Sequence, residues 1–298
     1  MRILFSESPC IPSAFSVQCE PETKGGLLLK ILFTDLDDTL LNRRKQVSPA
    51  TRDAIHAAIA AGHKIVLTTG RPEVTALPLA RELELDVPDC YLISFNGARV
   101  FDFGAGEPIF SSYVPLDYVK HVFQAAYDAG IHVHTYDSQA ILTPVFNKET
   151  EWYLKRSGGA PYRVLPELPE GLEQEPNKVI FLDIEQPERL EDFRRTLLPW
   201  AEGKVDLFFS GPELLECVET GVNKGTAVRF LADHLGVPIE DTVAAGDSEN
   251  DLPMLKAAGT GCAMINGTDA CKAAADYITE HDCDEEGLKE IIDRFLLR

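Results

Sequence analysis

The sequence predicts an α/β protein with a doubly wound parallel-sheet core and an inserted α+β cap domain. Short apolar runs alternate with helical patterns in the first part of the chain and again in the last. This alternation is typical of a parallel sheet with helices on both faces. Between about residues 106 and 212, strands joined by hairpins as well as by helices predict a second, largely antiparallel sheet. Polar residues follow several apolar runs, at the edge where open α/β sheets bind ligands.

The first predicted strand ends in an acidic turn. The apolar run Leu27–Phe33 overlaps the start of the stretch Ile31–Leu41, which reads I-L-F-T-D-L-D-D-T-L-L and contains Asp35, Asp37 and Asp38. Clustered carboxylates repel one another, so this turn needs a cation or a shared proton unless it is simply solvated. A calcium-binding loop is disfavoured, because the glycine expected at its sixth position is Leu40 here.

Two further strands near the N-terminus also end in polar residues. In order, the predicted elements are a helix opened by Ser48-Pro49 and closed by Gly62, a strand over 64–67 followed by Thr68-Thr69-Gly70-Arg71, a helix over 73–83, and a strand over 91–94 followed by Phe95-Asn96-Gly97. Serine at the N-cap and proline at the first helical position favour a helix start. Strand and helix alternating at this spacing indicate a doubly wound sheet.

The middle of the chain predicts the cap. Its elements are a helix over 115–129, strands over 131–136 and 140–145, a helix over 148–155, a glycine- and proline-rich passage over 157–176, a strand over 179–184, a helix over 187–200, and strands over 205–210 and 214–218. We expect residues 27–105 and 213–298 to form the core, and 106–212 the cap. Residues 1–26, rich in Ser, Pro and Glu without a clear period, are expected to be a disordered extension.

The alternation resumes after the cap. Asn223-Lys224-Gly225 opens a helix that runs to about Leu235, and a strand over 242–245 ends in G-D-S-E-N-D at 246–251. A helix over 252–258, a strand over 260–264 and a last helix over 286–295 complete the prediction.

Composition excludes several classes of partner. The chain has 298 residues and a formal net charge of −20, which argues against nucleic acid or an anionic membrane as a partner. No apolar stretch is long enough to span a bilayer. The seven cysteines are scattered without a C-x-x-C pair, a pattern that favours reduced thiols in a cytoplasmic protein.

Four polar clusters contain the candidate functional residues. They are Asp35 with Asp37, Thr69-Gly70-Arg71, Asn223-Lys224, and Asp247 with Asn250 and Asp251. Taken singly, each could be a turn, a surface lysine or a helix N-cap. Taken together, they suit phosphoryl transfer to a carboxylate, in which an ionised Asp attacks phosphorus and forms an aspartyl-phosphate.

That chemistry accounts for each residue type. A second carboxylate two residues along an extended chain lies on the same side and can exchange protons with the leaving oxygen and the attacking water. A hydroxyl, backbone N–H groups and a lysine can hold the phosphate oxygens. A divalent cation would neutralise the nucleophile against the phosphate, and oxygen ligands in this number suit Mg²⁺.

The chain resembles the haloacid dehalogenase superfamily, and within it the Cof-like hydrolases with a large α+β cap. The motifs D-L-D-D-T-L-L, T-G-R, N-G-A, N-K-G and G-D-S-E-N-D-L-P-M-L occur in family order from about Leu28 to the C-terminus.

The resemblance implies a HAD-like Rossmannoid core. It implies Asp35 as nucleophile and Asp37 as general acid/base. Mg²⁺ would be held by the Asp35 carboxylate, the Asp37 backbone carbonyl and Asp247, and phosphate by Leu36, Thr69, Gly70, Lys224 and Asn250. Asp251 would orient Lys224 or a metal-bound water, and Arg71 and Asn96 would meet the leaving group where core and cap join.

Two positions depart from the family pattern. The residue after Asp37 is often Gly and is Asp38 here, and the late M-G-N-A motif is Met264-Ile265-Asn266-Gly267 here. Elsewhere, His132 and His134 lie two residues apart in a predicted strand and face one side like a metal pair. Because no third ligand occurs at a matching spacing, ordinary packing is the favoured interpretation.

These observations predict a Mg²⁺-dependent phosphatase that acts on small phosphorylated metabolites through an aspartyl-phosphate, as a monomer or a homodimer. A phosphosugar mutase, or a phosphatase dedicated to one sugar phosphate such as a sucrose or mannosylglycerate phosphate, is the alternative among enzymes. The alternative outside enzymes is a non-catalytic regulatory protein that binds a phosphorylated ligand. The cap offers no motif that identifies the substrate.

Overall fold

The computed structural model describes residues 29–298. The predicted disordered extension over 1–26 lies outside the described residues. Within the described part, the strands fall into two sheets, one of eight strands and one of six. No helix of this part is long and apolar enough to cross a membrane.

The strands are, in chain order, β1 (Ile31–Thr34), β2 (Lys64–Thr68), β3 (Cys90–Ser94), β4 (Arg99–Asp102), β5 (Glu107–Ser111), β6 (His132–Tyr136), β7 (Ile141–Thr143), β8 (Tyr162–Val164), β9 (Val179–Leu182), β10 (Val205–Gly211), β11 (Leu214–Glu219), β12 (Thr242–Gly246), β13 (Thr260–Ala263) and β14 (Tyr277–Ile278). The α-helices are α1 (Pro49–Ala60), α2 (Glu73–Glu82), α3 (Leu116–Ala129), α4 (Lys148–Arg156), α5 (Glu188–Ala201), α6 (Lys224–His234), α7 (Leu252–Ala257), α8 (Asp269–Ala274) and α9 (Gly287–Phe295).

The eight-stranded sheet is the core sheet, in the order β14-β13-β12-β1-β2-β3-β4-β5. Its strands from β14 to β3 are parallel, and β4 and β5 extend it as an antiparallel edge. Strand β1 lies between β12 and β2, so residues that follow it reach the middle of the carboxyl edge. This arrangement confirms the predicted doubly wound core.

The side chains of β1 alternate between the two faces of the core sheet. Leu32 packs in the cluster that contains Ile55 of α1 and Ile291 of α9. Phe33 packs on the opposite face, in the cluster that contains Leu231 of α6 and Met254 of α7. Because both faces are covered, every residue of β1 is fully buried, which explains why the strand is a continuous apolar run in the sequence.

The six-stranded sheet is the cap sheet, in the order β10-β11-β9-β6-β7-β8. Its pairs are antiparallel except for β7 and β8. Helices α3 and α5 cover one face, through a cluster that includes Phe123 and Phe193. On the other face, Tyr136 and Ile180 of the cap pack with Phe95, which follows the core strand β3. The predicted α+β cap is therefore confirmed.

The domain boundaries stay a prediction, and sheet membership suggests a shift. Strand β5 pairs with β4 in the core sheet, although it begins after residue 106. Strand β11 pairs with β9 in the cap sheet, although it lies beyond residue 212. We therefore propose that the cap runs from about 112 to 220, some residues later at both ends than the sequence predicts. The two connections lie side by side, since the Ser112 hydroxyl donates to the Glu219 carboxylate.

Several short elements differ from the sequence prediction. Strands β4, β5, β8 and β14 and helix α8 are absent from it. Strand β8 has three exposed residues within the glycine- and proline-rich passage. Strands β5, β8 and β14 lie at sheet edges, and β4 has only four residues, so none of them shows the apolar periodicity on which a sequence prediction depends.

Candidate active site

Asp35 stands at the centre of the carboxyl edge of the core sheet. It follows β1 directly, and its backbone N–H donates to Ala245 O of the neighbouring strand β12 at 2.9 Å. The residue is 7% exposed. Because β1 is paired on both sides, the sheet holds the Asp35 backbone at the point where two other strands also end.

Lys224 reaches Asp35 from the first residue of α6. Its Nζ donates to Asp35 Oδ1 and to Asp251 Oδ1, at 2.5 Å each, and the lysine side chain is fully buried. Asn223 caps the helix, since its side-chain oxygen accepts from the Gly225 and Thr226 N–H groups at 3.0 Å. A Cβ at Gly225 would lie 2.3 Å from Pro253 O, so glycine permits α6 to pack directly against α7.

Asp247 and Asp251 complete the buried acidic group. Asp251 Oδ2 accepts the backbone N–H groups of Asp247 and Ser248, at 3.0 Å each. Asp247 accepts from the Thr39 hydroxyl at 3.0 Å and from the Ser248 hydroxyl at 2.8 Å. Ligand oxygens of Asp35, Asp247 and Asp251 lie within 4.8 Å of one another. Three carboxylates therefore meet with a single buried ammonium group.

The charges of this group do not balance. Burial raises the pKa of Asp35 well above its usual range, Lys224 opposes the rise, and the neighbouring carboxylates add to it. Burial and the charge of Asp251 also raise the pKa of Asp247, to about 6. Burial would lower the pKa of Lys224, but Asp251 and Asp35 outweigh it and raise that pKa. The excess negative charge and the oxygen donors suit a divalent cation such as Mg²⁺.

Asp37 lies apart from that acidic group and is paired with cations. Arg71 Nε donates to Asp37 Oδ2 at 2.9 Å, and Arg71 Nη2 donates to Asp37 Oδ1 at 2.7 Å. Lys45 Nζ lies 2.9 Å from Asp37 Oδ1. Burial alone would raise the pKa of Asp37, but hydrogen bonds and charge from Arg71 and Lys45 lower it to about 2. Asp37 is therefore ionised in this arrangement.

The remaining predicted site residues line the neighbouring strand ends. Thr69 follows β2, and its backbone accepts the Asn96 N–H at 3.0 Å. Asn250 Nδ2 donates to Asn96 Oδ1 at 3.1 Å. A Cβ at Gly70 would lie 3.0 Å from the Asn96 side chain, so Gly70 and Asn96 pack closely. Leu36 is fully buried behind Asp35.

A turn over Phe95–Gly97 brings Asn96 into this group. Phe95, Asn96 and Gly97 have φ angles of 50°, 55° and 108°, in the left-handed region that favours glycine. A Cβ at Gly97 would lie 2.3 Å from Asn223 O. The turn therefore requires glycine at 97 because it rests directly against the start of the helix that carries Lys224.

The two departures from the family pattern have structural explanations. Asp38 has a φ of 61°, a conformation that glycine adopts freely and that Asp tolerates better than most residues. Asn266 Nδ2 donates to Asp38 O at 2.8 Å and so supports the acidic turn.

The pair His132 and His134 packs within the cap sheet, as the sequence favours. Their ring centroids are 5.7 Å apart, and burial lowers the pKa of His132 to about 4. Neither belongs to a group of three close potential ligands in the part of the chain that the structure describes. The other acidic group there, Asp282-Cys283-Asp284, contacts Arg43.

Several residues that contact the site have no role in the sequence-based prediction. They are Thr39, Ser248, Lys45, Lys178 and Glu216. A signal for two of them is present, since Lys178 and Glu216 are charged residues within the apolar runs K-V-I-F-L and L-L-E-C-V. A charge in a buried strand needs a partner, and this requirement points to a buried ion pair.

A cavity of about 440 Å³ lies where core and cap meet. Its lining includes Glu73, Arg99, Tyr136, Asp137 and Arg163, and none of the predicted catalytic residues. Arg99 pairs with Glu73 at 2.8 Å, and Arg163 pairs with Asp137. The cavity is therefore polar, and it carries a surplus of negative charge because Glu167, Glu173 and Glu175 also line it.

Comparison with known proteins identifies the family of the chain. The family model described as haloacid dehalogenase-like hydrolase matches residues 32–292. The Bacillus subtilis (strain 168) protein YxeH is 31% identical over 273 residues, which cover 91% of this chain and 99% of that protein. A second protein of that organism, 5-amino-6-(5-phospho-D-ribitylamino)uracil phosphatase YcsE, is 29% identical over 273 residues, 90% of this chain and 96% of its own.

A solved structure shows the same architecture. The crystal structure of a haloacid dehalogenase-like hydrolase from Bacteroides thetaiotaomicron superposes with a TM-score of 0.82 at 29% sequence identity. The match covers 90% of this chain and 99% of that one. Core and cap are therefore both shared.

Proposed function

The chain belongs to the haloacid dehalogenase-like hydrolases, in the Cof-like group of phosphomonoester hydrolases, and we propose that it is a Mg²⁺-dependent phosphatase acting through an aspartyl-phosphate. The observation that carries this proposal is the contact of Lys224 Nζ with both Asp35 and Asp251 at 2.5 Å, beside Asp247. A nucleophilic carboxylate, a fixed positive charge and a further carboxylate are thereby close together.

Asp35 is the proposed nucleophile. One carboxylate oxygen forms a bond to phosphorus as the bond from phosphorus to the leaving oxygen breaks, and water later hydrolyses the resulting acyl phosphate. Attack requires the ionised carboxylate, and the ammonium of Lys224 favours that form. The Asp35 and Asp247 carboxylates and the Asp37 backbone carbonyl would hold Mg²⁺. When bound, Mg²⁺ supplies positive charge that neutralises the nucleophile against the phosphate and aligns the two.

Asp37 is the proposed general acid/base. An ionised carboxylate can take a proton from the attacking water in the second step. Donation to the leaving oxygen in the first step requires a protonated Asp37, which the double hydrogen bond from Arg71 opposes. We therefore propose that Arg71 breaks its hydrogen bonds with Asp37 when Arg71 binds the leaving group. The pKa of Asp37 would then rise when substrate is bound.

The phosphate oxygens have proposed donors on three sides. They are the Leu36 backbone N–H, the Thr69 hydroxyl with Gly70, and Lys224 with Asn250. Each follows a strand end or lies at a helix start, where backbone N–H groups are free to bind an anion. Asp251 is proposed to orient Lys224, because it accepts from Nζ and from two backbone N–H groups.

The proposed substrates are small phosphorylated metabolites with a polar leaving group. The polar cavity between core and cap would receive that group, and the relative YcsE is named for a phosphorylated ribityl compound.

We also propose a cytoplasmic location, because the five cysteines among residues 29–298 are all unpaired and buried. A monomer or homodimer remains the proposed assembly.

A substrate panel tests this function. The purified chain is incubated with Mg²⁺ and sugar phosphates, nucleotides, pyridoxal phosphate, flavin mononucleotide and an aryl phosphate, and released phosphate and organic product are both measured. We expect free phosphate in equal amount to the alcohol produced. Isomerised sugar phosphate without free phosphate would identify a mutase, and binding without turnover across the panel would identify a regulatory protein.

A further inference from the structure

Lys178 is a buried cation of the cap that contacts the core. It immediately precedes β9, and its side chain is 1% exposed. Its Nζ donates to Glu216 Oε2 at 2.8 Å and to Gly70 O at 2.8 Å. The first partner lies on cap strand β11, and the second is a predicted phosphate-binding residue of the core. The ammonium also lies 5.9 Å from the Phe95 ring centroid and 5.5 Å from that of Tyr136.

Glu216 makes a second connection between cap and core. Its side chain is 5% exposed, and its Oε2 accepts from Asn96 Nδ2 at 3.0 Å. Asn96 Oδ1 accepts in turn from Asn250 Nδ2 at 3.1 Å. A continuous series of hydrogen bonds therefore runs from Lys178 through Glu216 and Asn96 to Asn250, another predicted phosphate-binding residue.

Stability alone is a poor explanation for this pair. Removing two charges from water costs several kcal/mol, and well-packed apolar residues of similar volume are often as stable or more so. The pair also adjoins the turn at Phe95–Gly97, in which Phe95 has a positive φ, a strained conformation for a bulky residue that persists only where surrounding contacts hold it. Asn96, the next residue of the turn, is held by a residue of the cap.

We propose that Lys178 and Glu216 form a latch between cap and core that positions the phosphate-binding residues Gly70 and Asn250. Opening of the cap would separate Lys178 from Gly70 and Glu216 from Asn96, because each contact joins one residue of the cap to one of the core. The phosphate site is thus complete only when the cap is closed. Lys178 and Glu216 are positioning residues, acting through Gly70 and Asn96. The phosphate-binding part of this proposal rests on the proposed function.

Hydrogen exchange of the ligand-free full chain tests the latch directly. The double substitution Lys178→Met with Glu216→Leu removes both charges and leaves neither one unpaired. We expect amide exchange at 69–71 and 95–97 to accelerate by about tenfold or more, within the range of coupling between sites, while the urea midpoint stays near that of the wild type. Unchanged exchange in both segments would overturn the proposal.

Arg189→Met is the control for the loss of an ion pair that does not reach the core. Arg189 donates to Asp183 Oδ2 at 2.6 Å and to Ala129 O at 2.7 Å, so it also binds one carboxylate and one carbonyl, but entirely within the cap. We expect no change in exchange at 69–71 and 95–97. Lys178→Met with Glu216→Gln also removes both charges and preserves the volume of residue 216. It is expected to accelerate the same segments about fivefold, so the latch can be judged even if the variant with leucine fails to fold.

A second measurement links the latch to the phosphate site. Affinity for inorganic phosphate in the presence of Mg²⁺, measured by calorimetry, is expected to fall at least about fivefold in the double variant and to stay unchanged in Arg189→Met. Unchanged affinity for phosphate in the double variant would contradict the proposed coupling between the latch and the phosphate site. If the wild-type protein released no phosphate from any ester of the panel, the proposed function would be overturned, but the hydrogen-exchange result would still hold. Failure of the latch and failure of the proposed function are therefore distinguishable.

Discussion

Arg71 and Asp37 form a two-point ion pair, in which Nε and Nη2 of the arginine donate to separate oxygens of the carboxylate at 2.9 and 2.7 Å. This geometry is strong and directional. It holds the proposed acid/base group ionised and turned toward a cation. The pair therefore links the protonation of Asp37 to the position of an arginine that is proposed to meet the leaving group.

Arg71→Met tests that link. Without the arginine, only Lys45 opposes the effect of burial, so the pKa of Asp37 should rise from about 2 by at least about one unit. The pKa is measured by carbon NMR of the labelled carboxyl in metal-free protein. Because the wild-type pKa is depressed, the pair stabilises the fold above about pH 4 and loses this effect as pH falls toward 2. Arg71→Met should weaken that pH dependence of unfolding.

Arg99→Met is the control for that experiment, since Arg99 pairs with Glu73 at 2.8 Å and Asp37 is paired with Arg71 and Lys45 instead. An unchanged pKa of Asp37 in Arg71→Met would contradict the assigned cause.

Asp35→Asn should abolish phosphate release while leaving the fold intact. The amide cannot form the acyl phosphate, so we expect a loss of at least about a thousandfold in turnover of an aryl phosphate. The same substitution at Asp38 is the matched control. Its side chain is 46% exposed, and asparagine tolerates its positive φ, so activity should stay within about threefold. Retention of about a tenth of the activity or more in Asp35→Asn would exclude Asp35 as nucleophile.

Mg²⁺ should stabilise the protein through Asp247. A ligand that binds only the folded state adds about 2.7 kcal/mol at one hundred times its dissociation constant, and thermal unfolding with and without Mg²⁺ measures this gain. Asp247→Asn should lose most of it, because a charged candidate ligand is replaced by a neutral amide. Asp282→Asn tests the separate acidic group of Asp282, Cys283 and Asp284 and should retain the gain. Equal stabilisation of both variants would show that Mg²⁺ binds elsewhere.

Gly97→Ala should destabilise the fold and the site together. The new Cβ would lie 2.3 Å from Asn223 O, and the positive φ adds strain, so we expect a loss of about 3 kcal/mol in the free energy of unfolding. Phosphatase activity should fall as well, because the clash displaces the start of α6 that carries Lys224. Urea unfolding and an aryl phosphate assay measure the two effects.

Gly106→Ala distinguishes the cost of a positive φ from the cost of the steric clash with Asn223. Gly106 has a φ of +75°, and a Cβ at this position would meet nothing within 4 Å, so only about 1 kcal/mol should be lost, with activity unchanged. Similar losses for the two substitutions would mean that the contact with Asn223 is unimportant.

The class of fold and the set of candidate residues follow from local sequence patterns. Buried strands such as β1 are continuous apolar runs, and Asp35, Thr69 and Asp247 follow three of them, so their convergence at one sheet edge was predictable. The roles of these residues stay predictions. Exposed or edge strands such as β8 could not be predicted, because their pairing depends on neighbours that are distant in the chain rather than on a local period.

Which charge lies beside which depends on tertiary packing. Lys224 contacts Asp35 across 189 residues of sequence, and Lys178 contacts Gly70 across 108. Neither contact leaves a local pattern, since each depends on how sheets and cap pack after the strands have formed. The sequence shows that Lys178 is a charge directly before an apolar strand and that Glu216 is a charge within one. Their position between cap and core, and hence their proposed role as a latch, follows from packing alone.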